Sequence, residues 1–93
     1  MVVGVLRLTL YLPGASSLKD KRQVVRKVVD RLRSRFNVAV AELDHQDAWQ
    51  QAVLGVVSIS NSQPLLESVF QQVLAESERI LGQDVAHHSL DFF

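Results

Sequence analysis

Eight cations fall within the eighteen residues from Leu18 to Arg35: Lys19, Lys21, Arg22, Arg26, Lys27, Arg31, Arg33 and Arg35, against only Asp20 and Asp30. The chemistry open to such a run is neutralisation of phosphates, where each contact releases counterions and that release supplies most of the affinity. The competing reading is a solvated helix whose long stems cover the edge of a core, or whose charges pair with acids elsewhere. Plain solvation carries a cost, because Lys27, Arg31 and Arg35 recur at i, i+4. Like charges at that spacing repel by roughly 0.2–0.5 kcal/mol per pair.

Other groups offer less. Ser16 and Ser17 precede the basic run, so free N–H groups at a helix start there, flanked by Lys19 and Arg22, define a candidate anion pocket. The plainer reading is an ordinary N-cap. Glu42, Asp44, His45 and Asp47 gather near one turn, but such turns are usually just solvated and no metal site is expected. His87 and His88 are adjacent on a strand and point to opposite faces, so they cannot share an ion. Trp49, the only tryptophan, either closes the end of a sheet over the core or stays available to a base or a partner. No nucleophile–base pair, paired carboxylates or phosphate loop is present, so neither a catalytic residue nor a cofactor is expected. An acyl phosphate hydrolase is a distant third reading, since the loop after the first strand lacks the arginine-bearing pattern of that class.

The elements that must position these groups follow from periodicity. Val2 to Leu12 alternates as a strand, with Leu6, Leu8, Leu10 and Leu12 on one face and Val3, Val5, Arg7, Thr9 and Tyr11 on the other. Pro13-Gly14 stops it. Ser16 or Ser17 caps a helix whose core stripe is Leu18, Val25, Val28, Val29, Leu32 and Phe36, with Asp20 placed as in a capping box. Phe36–Leu43 and Trp49–Ser60 read as strands joined by the polar turn Asp44–Asp47, with Gly55 marking a bulge or a close backbone approach. Asn61 or Ser62 caps a second helix carrying Leu66, Val69, Phe70, Val73, Ile80 and Leu81, stopped by Gly82 before a last strand from Val85.

The order βαββαβ specifies an α+β ferredoxin-like plait. Its four-stranded antiparallel sheet has strand order 4-1-3-2 and both helices on one face. The chain reads as one domain spanning residues 1–93. The opposite sheet face, with Val3, Val5, Tyr11 and Trp49, is then a candidate interface for a homodimer. Base stacking on that face is disfavoured, because the third strand has no aromatic and the first offers only Tyr11 near its end.

A formal net charge of zero conceals two unlike halves. Leu18–Arg35 carries an excess of six positive charges, while the residues from Phe36 onward hold eight acids against Arg79 alone. No apolar run reaches the roughly 18 residues needed to span a bilayer. Arg7 interrupts the first apolar stretch, which lacks a preceding basic segment and reads as a strand rather than a leader. With no cysteine to oxidise, the expected location is the cytoplasm.

Three blocks carry a resemblance: SLKDKR at Ser17–Arg22, FNVAVAE at Phe36–Glu42, and D-x-W-x-x-A-x-L-G at Asp47–Gly55. In order and without gaps between Leu6 and Leu81, they are similar to the YlxP-like family. Ala39 stands where serine is expected, and beyond Gly82 the likeness is weak. The resemblance implies a small ferredoxin-like domain with no established activity and no site residues to carry over. Genes of that family are often found among those for translation and ribosome maturation. The expectation drawn from residues and resemblance together is a non-enzymatic module. It would dock on RNA or the ribosome through Lys19, Arg22, Arg26, Lys27, Arg31, Arg33 and Arg35; a homo-oligomeric interaction module is the alternative.

Overall fold

The computed structural model describes residues 1–44 and 48–93, with Asp44 described by its backbone alone. The turn residues His45, Gln46 and Asp47 lie outside the described residues. The elements are β1 (Val2–Tyr11), α1 (Leu18–Arg35), β2 (Ala39–Asp44), β3 (Gln51–Ser60), α2 (Gln63–Leu81), a short 3-10 turn (Gly82–Asp84) and β4 (Val85–Phe92). They form one antiparallel sheet in the order β2-β3-β1-β4, as the alternation and crossover rules require.

The leucine face of β1 is the centre of the core. Leu6, Leu8, Leu10 and Leu12 are buried with Ala52, Leu54 and Val56 of β3 and Val40 of β2. Over them lie Val25, Val28 and Leu32 from α1 and Leu66, Phe70 and Val73 from α2. Phe70 meets the ring of Phe92 edge-on, with centroids 6.4 Å apart, and that contact passes directly above Gly4.

Local chemistry sets the ends. Ser17 is the N-cap of α1, its hydroxyl accepting from the Asp20 N–H at 3.1 Å. The Asp20 carboxylate reaches one residue beyond the capping-box position. It accepts from the Ser16 hydroxyl at 2.6 Å and the Ser16 N–H at 3.1 Å. Ser62 caps α2 by accepting from Leu65 N–H, and Gly82 turns the chain out with φ 59°.

Two strands start later than their composition suggests. Phe36 is still the C-cap of α1, donating to the Leu32 carbonyl, so β2 begins at Ala39. Trp49 and Gln50 form a bend, and β3 begins at Gln51. Gly55 itself pairs regularly. The irregularity is on its neighbour β2, between Glu42 and Asp44. Leu43 lies across Gly55, so close that a β-carbon there would sit 2.8 Å from Leu43 Cδ1.

The core stripe of α1 differs from the apolar pattern at one position. Leu18 is only half-buried, and the inward residue of the first turns is Lys21, 1% exposed. Its ammonium lies 3.0 Å from Glu42 Oε2. Glu42 has the same strand parity as Val40 and so faces the helices. Burial of a lysine is tolerable here because a carboxylate is brought to it. The two blocks SLKDKR and FNVAVAE therefore meet in space through this pair.

Candidate functional site

The cations of α1 do not form one uniform row. Arg31 and Arg35 lie one turn apart on the side facing α2, and both reach Glu76, at 2.9 and 2.8 Å. Arg79, one turn along α2, closes on the same carboxylate. Glu76 is nearly buried while the three arginines remain about half exposed. Hydrogen bonds from Arg79 and then Arg31 hold its carboxyl at about 2, well below its ordinary value of 4.5. The repulsion expected between Arg31 and Arg35 is thus relieved across the helix pair. Arg33 is engaged too, donating to the Val40 carbonyl of β2 at 2.9 Å.

What remains is a shorter track. Lys19, Arg22, Arg26 and Lys27 line one groove on the outer side of α1, together with Gln23 and Asp30. None of these four forms an ion pair among the described residues. The groove has a volume of about 480 Å³. Lys27 and Asp30 also border the next groove, with Arg31, Ser34, Arg79 and Ile80. The two therefore run into each other, the first with no ion pair among the described residues for its four bases and the second with guanidiniums held by Glu76. Lys19 to Lys27 spans about 12 Å of helix.

The expected anion pocket at the start of α1 is filled by the protein's own acid. Ser16 and Ser17 spend their donors and acceptor on Asp20, whose carboxyl is lowered chiefly by the Ser16 hydroxyl. The plain capping reading describes this turn.

The four residues grouped as an interface separate into two places. Val3 and Val5 lie in the first half of β1, opposite Ile59 and Val57. Tyr11 lies eight residues further along the strand from Val3, about 26 Å away. There it borders a shallow cleft with Ala48, Trp49, Gln50 and Gln51. Trp49 does not close the sheet over the core, being 53% exposed beside a Tyr11 that is 48% exposed. The end of the sheet is instead tied by Gln50, whose carbonyl accepts from Leu12 N–H at 2.8 Å and whose side chain reaches the Pro13 carbonyl at 3.4 Å.

Among the described residues no cluster of acids and histidines could hold a metal ion, and no helix is long and apolar enough to cross a membrane. Residues missed by the pattern were Lys21, Glu42 and Glu76. For Lys21 and Glu76 the signal was a gap: the apolar stripe of α1 lapses between Leu18 and Val25, that of α2 between Val73 and Ile80, and an ionisable group fills each gap.

The same plait is found in proteins of unrelated purpose. A de novo designed protein with ferredoxin fold superposes with a TM-score of 0.55 at 12% identity, over 100% of this chain and 83% of the other. A cofactor-independent oxygenase from Streptomyces nogalater, SnoaB, gives 0.53 at 14% identity over 99% and 89%. These likenesses show the fold and no chemistry. In sequence, the chain is 34% identical over 74 residues to the uncharacterized protein YlxP of Bacillus subtilis (strain 168), covering 80% of each. The family model described as protein of unknown function (DUF503) matches residues 3–89, from the first strand into the last, and the chain belongs to that family.

Proposed function

We propose that this protein is a non-catalytic module that holds RNA by its phosphates along the outer face of α1. The observation that carries the reading is the groove in which Lys19, Arg22, Arg26 and Lys27 stand together against Asp30 alone. Such a surface attracts a polyanion through counterion release. The groove contains no element that reads base edges, so binding is of low sequence specificity. Arg31, Arg35 and Arg79 add to the positive field beyond Lys27, because three guanidiniums outweigh one carboxylate. Arg33 is left out of the binding set, since it serves the backbone of β2.

The test is binding of mixed-sequence RNA followed by anisotropy at two salt concentrations. With about four phosphates engaged, affinity falls roughly 50–150-fold between 50 and 200 mM salt. Reversing Arg22 and Arg26 to Glu removes binding and cosedimentation with ribosomes, while circular dichroism and the melting temperature stay as in the parent. Binding that survives the double reversal, or that ignores salt, refutes the assignment.

A further inference from the structure

The face of the sheet away from the helices has the wrong composition for water. An antiparallel sheet solvated on one side normally alternates apolar-in, polar-out. Here β3 turns Val57 and Ile59 outward, 38% and 58% exposed. The strand register sets these beside further apolar groups. Ile59 pairs with Val3, which exchanges hydrogen bonds with Phe93, and Val57 pairs with Val5 on one side and Ala39 on the other. Ala41 and the half-exposed Leu43, lying over Gly55, extend the patch to the edge of the sheet. The apolar half of the face is therefore continuous across β2, β3 and β1, with Phe93 beside Val3 just past the end of β4.

From this we infer that a second copy of the chain covers this half-face, related by a two-fold axis, with Val5, Leu43, Val57 and Ile59 at the centre of the contact. Two features point to a copy rather than to a nucleic acid or a strongly charged protein. The first is charge: the described residues of this face include one exposed arginine, Arg7, and one exposed acid, Asp91, in adjacent rows, with His87 further along β4. A copy thus meets no like-charged field, and a polyanion finds no attraction. The second is size and shape. Four strands about 4.8 Å apart and eight residues long present about 500 Å² in projection, of which the apolar half is at most about 250 Å². Side-chain relief adds to this, and the half-face stays below the roughly 800 Å² per partner of a standard interface, as suits a weak, concentration-dependent pair. A twisted sheet is best matched by another of the same twist, packed face to face with interdigitated side chains.

Sedimentation equilibrium across micromolar to several hundred micromolar protein decides the matter. The unaltered chain should approach twice its 10.4 kDa toward the upper end of this range, in concentrated salt as well, as an apolar contact does. Val57→Asp and Ile59→Asp should each weaken self-association by roughly thirtyfold or more. Both sites are already partly wet in the single chain, so the acid should leave the circular dichroism spectrum unchanged. A wild-type mass of one chain throughout the range overturns the proposal, whatever the variants do. So does a dimer mass retained by both variants, which would put the contact elsewhere, such as on the β2 edge. Tyr11→Ala and Trp49→Ala, at the far end of the face, should leave the mass unaltered.

Discussion

Lys21 and Glu42 occupy positions whose register would ordinarily demand apolar side chains, and the two members of the pair are not equally buried. The lysine side chain is 1% exposed and the glutamate side chain 22%. Removing Glu42 therefore takes from a buried ammonium the carboxylate 3.0 Å away, whereas removing the lysine leaves a carboxylate that water can reach. Glu42→Ala is expected to cost about 3 kcal/mol or more, and Lys21→Met, which keeps the buried stem, roughly half of that. Urea denaturation of the two variants tests the order. Glu76 gives a prediction in pH. Its carboxyl is depressed in the folded state, so its three arginines stabilise the fold fully above 4.5, and that contribution is lost as pH falls through about 2. The melting temperature of the parent should drop across this window. Glu76→Gln should melt lower at neutral pH and show a flatter acid limb.

Within the elements, two glycines that look alike in sequence do different work. A β-carbon at Gly4 would lie 2.3 Å from Phe70 Cε2, inside a ring that is 1% exposed and held against Phe92. The fully buried Phe70 ring has little room to yield. At Gly55 the obstacle is the end of a half-exposed leucine that can swing into solvent. Gly4→Ala should therefore destabilise by about 1–3 kcal/mol, and Gly55→Ala by much less, in thermal denaturation. Element order, strand order and the inward face of β1 were legible because each follows from period and handedness alone. The leucines at 6, 8, 10 and 12 admit only one inward face. The state of the cations was not legible in the same way. Arg31 and Glu76 are 45 residues apart and meet only once both helices have docked on the sheet. Even so, the lapses in the two apolar stripes marked where charge would be buried. The start of β2 was misplaced because Phe36, apolar and β-prone, is spent on ending α1.

Across the whole molecule, the uneven distribution of charge along the chain becomes an uneven distribution in space. Part of the basic run is neutralised by the acidic half, through Glu76 and Glu42. The part nearest the start of α1 is not, and it lies on the helix layer, with the hydrophobic half-face on the reverse of the sheet. This back-to-front arrangement constrains stoichiometry. In a pair joined through their sheets, the two lysine- and arginine-lined tracks would point in opposite directions, on the outer helix layers of a four-layered assembly. A short strand lying on one could not bend round to the other. Each pair would then take up two strands independently and tether them, so that long RNA should be cross-linked into larger particles where short oligonucleotides are merely bound.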